Sequence, residues 1–242
     1  VAAIPFLGLG ISLTDAVFES MSGITTTGST VLTGLDHLPP GILLWRAILQ
    51  WLGGIGIIAM AILMLPLLRV GGMQLFKIES SDTGDKFGAN AFQMVIYLMA
   101  IYTALTALCA LLYYAFGMRL FDAVTHAMAT LSTGGYSTHD ASFGYFQEQS
   151  LHWIATVFMA AGAIPFYLYV KAARGAPRGL FTDQQVRGFI GLLAVVSVTL
   201  AAWMVWERGI GFMDALTLTA FNVTSVVTTT GFATDDYTTW GP

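Results

Sequence analysis

Four runs of roughly twenty mainly apolar residues, Ile42 to Leu68, Met94 to Phe116, Leu151 to Val170 and Val186 to Trp206, dictate where this chain can fold. Each has the length a helix needs to cross a bilayer core of ~30 Å, and a helix is the element that satisfies its own backbone there. Hydrophobic residues fill 56% of the 242 positions and charged residues only 10%, so the bilayer is the expected solvent. Val1 to Leu13 is apolar but short and reads as the outer end of a truncated fifth span. No cleavable signal precedes it, and Tyr237 to Pro242 reads as punctuation before another helix, so both ends look like fragment boundaries. Net charge is −4 with no run of Lys or Arg, which excludes the basic stripe that nucleic-acid binding needs. Cys109 lies alone in an apolar run, without a disulfide or thiolate-metal partner, and is expected to pack against lipid or helix.

Lysine and arginine accumulate in cytoplasmic loops. Arg69, Lys77 and Lys86, and then Lys171, Arg174, Arg178 and Arg187, therefore mark two connections as inner. The connections 117–150 and 207–242 are rich in Asp and Glu and face outward.

Three outer segments repeat one pattern, Asp followed by Ala and closing on a threonine and glycine cluster. They run from Asp15 through Thr25, Thr26, Thr27, Gly28 to Thr30, from Asp122 through Ser132, Thr133, Gly134, Gly135 to Thr138, and from Asp214 through Thr228, Thr229, Thr230, Gly231 to Thr234. Repetition at long intervals means one supersecondary unit used several times. With Gly28, Gly134 and Gly231 aligned, about ten helix-compatible residues separate Asp from glycine, somewhat more in the third copy. That is too short to span a bilayer at 1.5 Å per residue. The spacing predicts a re-entrant half-helix, with Asp capping its start, inside a unit of spanning helix, half-helix, loop and returning helix.

Irregular backbone at membrane depth leaves carbonyls unpartnered, at several kcal/mol each, unless they face water or a ligand. Loops converging on one axis can let their carbonyls replace the hydration shell of a cation. Glycine supplies the backbone conformation that a β-carbon disfavours, and the half-helix turns its negative end toward the ion. One Thr-Thr-Gly triplet is weak evidence, being common in ordinary turns; three in register are strong.

Other residues admit plainer readings. Arg46, about a turn inside its span, either snorkels to the headgroups or takes a part in the pore. Glu19 either draws cations to the mouth or faces outer water, and Asp235 and Asp236 either raise cation concentration at the entrance or line a solvated loop. His126 has no metal-ligand spacing and is expected to pack or hydrogen-bond behind its loop. Gly53, Gly54 and Gly56 should permit close helix packing, Pro66 and Pro165 should kink their helices, and the stripe Trp153, Phe158, Phe166, Tyr167, Tyr169 should meet lipid and interface.

The stretches Ser22 to Thr30, Gln50 to Gly56, Gly117 to Thr138 and Phe221 to Thr234 resemble the Trk, Ktr and HKT superfamily of potassium transporters, and most of all its bacterial Trk-type membrane subunit. The resemblance covers nearly the whole chain. It implies an all-α membrane protein of repeated units around a pseudo-fourfold pore, truncated at both ends: unit one at 1–68, a cytoplasmic loop at 69–93, unit two at 94–173, a second loop at 174–187 and unit three at 188–242. It further implies potassium as the substrate, held by backbone oxygens of Thr26 and Thr27, Ser132 and Thr133, and Thr229 and Thr230, with Gly28, Gly134 and Gly231 fixing the geometry. Fewer glycine turns than the TVGYG loop of potassium channels imply looser discrimination against sodium. Family members are typically homodimers in the bacterial cytoplasmic membrane, gated by a cytosolic nucleotide-binding subunit, and carry no cofactor; their main gate falls beyond Pro242. A sodium- or proton-coupled symporter would need an acidic residue in the middle of a span, and none is there. An intramembrane hydrolase would need a nucleophile beside His126 or His152, and the sequence suggests none, so no enzyme activity is expected.

Overall fold

A computed structural model describes residues 1–64 and 84–235. The expected span end at Leu68, Pro66, the inner-loop residues Arg69 and Lys77, and Asp236 lie outside the described residues. Every regular element described is helical: α1 Ile4–Leu7, α2 Leu13–Ile24, α3 Pro40–Met64, α4 Gly84–Ala115, α5 Leu120–Leu131, α6 Gln149–Ala163, α7 Phe166–Ala173, α8 Arg178–Thr182, α9 Gln184–Arg208 and α10 Phe212–Val227. Short 3-10 turns occupy Leu35–His37 and Ser142–Tyr145.

Among the described residues three helical stretches are long and apolar enough to cross a membrane, 40–60, 93–115 and 184–208. The fourth expected span is not one straight helix. Helices α6 and α7 meet at 91° around Ile164 and Pro165. Proline forces its predecessor out of the helical region, and Ile164 is accordingly extended at φ −71°, ψ 137°. The apolar start also differs from expectation: only Ile4–Leu7 is helical there, and Leu13 is already the first residue of α2.

Between these spans lie the three short helices the repeat predicts. Helices α2 and α5 have 12 residues each and α10 has 16; a twelve-residue helix rises only about 18 Å. The repeated aspartates sit three residues inside the cap position and do not cap. Ser12 caps α2, its hydroxyl accepting from the Asp15 amide at 3.1 Å, while Arg119 and Gly211 occupy the equivalent places without a side-chain bond. A carboxylate in the first turn still opposes the positive end of the macrodipole. Two of these carboxylates also hold neighbouring segments: Asp122 Oδ1 accepts from Thr138 Oγ1 at 2.7 Å, closing the loop after α5 back on its own helix, and Asp214 Oδ1 accepts from Gln149 Nε2 at 2.6 Å, tying α10 to α6.

The packing order follows the repeat. Helix α2 lies on α3, α5 is held among α3, α4 and α6, and α10 is held between α6 and α9. The main core gathers around α4, α5 and α6, with Tyr102, Tyr113, Phe143, Phe158, Phe166 and Phe221 among its buried residues. Phe158 and Phe166 are thus inside the protein, not in lipid; Trp153 donates to Thr217 Oγ1 at 3.1 Å and Tyr169 to the Ala161 carbonyl at 2.8 Å. The right-angled break at Pro165 turns this aromatic stripe inward. Cys109 is fully buried against helices.

Small residues let the spans reach the half-helix ends. A β-carbon on Gly53 of α3 would lie 2.1 Å from the Ile24 carbonyl oxygen, and one on Gly162 of α6 would lie 2.9 Å from the Leu131 oxygen. Ile24 and Leu131 are the last residues of α2 and α5, so α3 and α6, the helices that follow these two loops, each carry a glycine against the same point. Gly54 packs similarly against Tyr102 and Ser132, whereas a β-carbon on Gly56 would meet nothing within 4 Å among the described residues.

Candidate functional site

The three half-helices end in one motif. After cap residues Thr25, Ser132 and Thr228, the next residue is left-handed: Thr26 at φ 56°, Thr133 at 50° and Thr229 at 60°. Its amide returns to the carbonyl three residues back, Gly23, Thr130 or Val226, and the following amide returns five residues back, to Ser22, Ala129 or Ser225. This is a Schellman closure, in which the left-handed place normally goes to glycine. A β-branched residue there is uncommon and strained by about 1–2 kcal/mol. Three threonines in the same strained place point to a requirement beyond ending a helix.

Left-handed φ returns two residues later, at Gly28 (82°), Gly135 (74°) and Gly231 (86°). The register therefore pairs Gly135, not Gly134, with Gly28 and Gly231. Aligned this way, Thr25-Thr26-Thr27-Gly28 matches Ser132-Thr133-Gly134-Gly135 and Thr228-Thr229-Thr230-Gly231. Alignment on Gly134 takes the first glycine of a Gly-Gly pair; the match of hydroxyl residues at the first two places is the sequence signal for Gly135.

Because a peptide is planar and trans, turning an amide back to the helix aims the carbonyl bonded to it the other way. The amides of Thr27, Gly134 and Thr230 are so turned. The carbonyls of Thr26, Thr133 and Thr229 thus face away from the helix ends, and among the described residues none accepts a hydrogen bond.

The three loops converge. A β-carbon built on Gly28 would lie 2.2 Å from the Gly134 oxygen and 3.7 Å from the Thr230 oxygen, so all three loops meet at that one point. One built on Gly135 would lie 1.9 Å from the Thr230 oxygen. Loop two is wedged between loops one and three.

The scaffold behind the loops is polar and buried. Arg46 is 1% exposed and does not reach the headgroups. Its Nε donates to Glu19 Oε1 at 2.8 Å, its other nitrogens to the Ser137 carbonyl at 2.9 Å and to Thr30 Oγ1 at 3.1 Å, and it lies 4.0 Å above the Tyr136 ring. Glu19, 0% exposed, lies neither at the mouth nor in outer water; it also accepts from Thr30 Oγ1 and the Val31 amide. A buried charge persists only when paired and hydrogen-bonded, and this pair ties α2 and α3 to loop two.

His126 hydrogen-bonds through Nδ1 to the Asp122 carbonyl at 2.9 Å and through Nε2 to Ser137 Oγ at 3.0 Å. The sequence did not reveal this serine beside a histidine. The pair is sealed, however, under Phe143, Phe146 and Phe232. The Asp122 carboxylate binds Thr138, leaving His126 only a backbone acceptor on Nδ1.

Asp36 clasps the loop after α5, accepting from His139 Nδ1 and from the Asp140 amide, while Asp140 Oδ1 accepts from the Gly34 amide at 2.9 Å. The His139 hydrogen bond holds the Asp36 carboxyl below its ordinary value, outweighing desolvation. A depressed carboxyl stabilises the fold fully above its unfolded pKa, and that contribution disappears as pH falls through the folded pKa. Acid titration followed by thermal unfolding should therefore show Asp36→Asn losing less stability than wild type below about pH 4.

Known proteins resemble this chain over nearly its whole length. The family model described as TrkH, cation transport protein, matches residues 6–242. The Trk system potassium uptake protein TrkI of Halomonas elongata is 51% identical over 232 residues, 96% of this chain and 47% of that protein. TrkH of Salmonella typhimurium is 39% identical over 250 residues, 99% of this chain and 51% of that protein. The crystal structure of the potassium transporter TrkH from Vibrio parahaemolyticus superposes with a TM-score of 0.84 at 37% identity, covering 96% of this chain and 47% of that one. The chain thus spans about half the length of the relatives it matches. By the family model and by these identities, it belongs to the TrkH family of cation transport proteins.

Proposed function

We propose that these residues form three filter-bearing units of a channel-like pore that takes potassium into the cell across the bacterial cytoplasmic membrane. The observation that carries this reading is the left-handed threonine repeated at one place in three converging loops, with its carbonyl released from the helix. Carbonyls of Thr26, Thr133 and Thr229 form one ring of ligands for the ion. Those of the cap residues Thr25, Ser132 and Thr228 lie one step toward the helix ends, and those of Thr27, Gly134 and Thr230 one step beyond. Gly28, Gly135 and Gly231 allow the chain to turn after them. The negative ends of α2, α5 and α10 add a uniform attraction for a cation without any side-chain charge.

The unit boundaries 1–68, 94–173 and 188–242 belong to this reading, as does the orientation with basic connections inside. Lys171, Arg174, Arg178 and Arg187 are exposed on the inner connection. That surface suits a cytosolic regulatory subunit of the nucleotide-binding kind, and homodimerisation in the lipid fits the family resemblance.

The test is flux through the complete polypeptide that carries these residues, reconstituted in liposomes. A potassium gradient alone should drive uptake, with no sodium or proton gradient required, and Gly134→Asp, which drives a side chain into Gln50, should remove it. Uptake that needs a second ion gradient would establish coupled symport instead, and undiminished flux in Gly134→Asp would remove the filter assignment.

A further inference from the structure

The second loop departs from its neighbours at one place. In loops one and three the third residue is threonine, and its hydroxyl pairs with the one two residues earlier, Thr27 with Thr25 at 2.8 Å and Thr230 with Thr228 at 2.7 Å. Loop two has Gly134 there, with Ser132 two residues before it. The missing side chain has been replaced from elsewhere. A β-carbon on Gly134 would lie 2.4 Å from Cδ, 2.6 Å from Oε1 and 2.7 Å from Nε2 of Gln50, which reaches in from α3 of unit one.

Gln50 is 0% exposed and uses both ends of its amide on loop two. Nε2 donates to the Gly134 carbonyl at 2.6 Å, and Oε1 accepts from the Tyr136 amide at 3.0 Å. The two bonds bracket Gly135, the left-handed residue between them. The Gly134 oxygen so held is the atom that faces Gly28 of loop one.

We propose that Gln50 is a positioning residue of the filter, a side chain lent by one unit to the next, which fixes the Gly134–Tyr136 backbone and thereby sets the preference for potassium over sodium. This rests on the filter reading above. A carbonyl has two lone pairs, so the Gly134 oxygen can accept from Gln50 and still face an ion. With the donor removed, the peptide is free to tilt, and a ring that can contract accommodates a smaller, more strongly hydrated cation at less cost. Gln50 touches no ion; it acts through the backbone that does.

The experiment compares the complete polypeptide in liposomes as wild type, Gln50→Ala, Gln50→Glu, Gly134→Thr and the double variant Gln50→Ala/Gly134→Thr, reading the permeability ratio of potassium to sodium from reversal potentials. Gln50→Ala and Gln50→Glu should each lower the ratio about tenfold while potassium still passes, because both lose the Nε2 hydrogen bond to the buried Gly134 carbonyl. Gly134→Thr alone should abolish flux, because the new side chain collides with Gln50. The double variant should recover a ratio within about threefold of wild type, since the vacated space admits the threonine that loops one and three already carry, with Ser132 as its hydroxyl partner. Wild-type selectivity in both Gln50 variants would overturn the proposal, as would a double variant no better than its worse parent, or loss of assembly in Gln50→Glu on size-exclusion chromatography. A wild type that passes no potassium would instead overturn the filter reading beneath it.

Discussion

Gly135→Ala should abolish potassium-selective flux. The residue sits at φ 74°, where alanine costs about 1 kcal/mol or slightly more, yet that strain is the smaller part. The added methyl would lie 1.9 Å from the Thr230 oxygen, 2.9 Å from its carbonyl carbon and 3.3 Å from the Gly231 carbonyl carbon, all backbone of the neighbouring loop. Backbone cannot rotate aside as a side chain can, so loops two and three must separate and the ring between them opens. Gly34→Ala is the matched control. Gly34 has nearly the same dihedral, φ 71°, but nothing within 4 Å of its β-carbon position, so its cost is strain alone and flux should persist. Tracer uptake into liposomes distinguishes the two outcomes; equal flux in both variants would mean that the contact between loops does not shape the pore.

Arg46→Leu should be the most damaging substitution for stability. It leaves the Glu19 carboxylate buried without its cation, and breaking a buried pair by removing one partner costs about 3–5 kcal/mol. It also strips donors from the Ser137 carbonyl and Thr30 Oγ1 and the cation from the Tyr136 ring. Glu19→Gln should cost less, because the Arg46 cation it strands still donates to the Ser137 carbonyl and Thr30 Oγ1 and lies over the Tyr136 ring. Thermal unfolding in detergent should rank wild type above Glu19→Gln above Arg46→Leu. Combining the two should recover part of the Arg46→Leu loss, because the stranded charge is gone. An Arg46→Leu protein as stable as wild type would show that the guanidinium is solvated and not buried.

The sequence carried the architecture further than it carried the interactions. Apolar runs located the spans because a helix in lipid must be long and charge-poor, and the repeated Asp-to-glycine spacing located α2, α5 and α10 because a helix too short to cross has to turn back. Pro165 announced a kink, although a bend of 91° depends on what α7 packs against and is not written in one residue. Charged residues misled most. Arg46 and Glu19 are 27 positions apart, and each alone reads as a surface group; only the packing of α2 on α3 reveals a pair. Gln50 was visible as part of a glycine-rich motif, but its task depends on Gly134, 84 residues away. The one-residue slip at Gly134 had a local cause. Glycine serves two ends in loop two, a left-handed turn at 135 and space for Gln50 at 134, and composition cannot separate them.

The central claim is that carbonyls released by the three Schellman closures coordinate the transported ion. Anomalous scattering from rubidium or thallium in crystals of the complete polypeptide tests it most directly. A heavy-ion peak should lie between the three loops, within coordination distance of the carbonyl oxygens of Thr26, Thr133 and Thr229, and should fade when sodium replaces potassium-like ions. Strong density only at exposed carboxylates such as Asp36 or Asp140, with none between those oxygens, would contradict it.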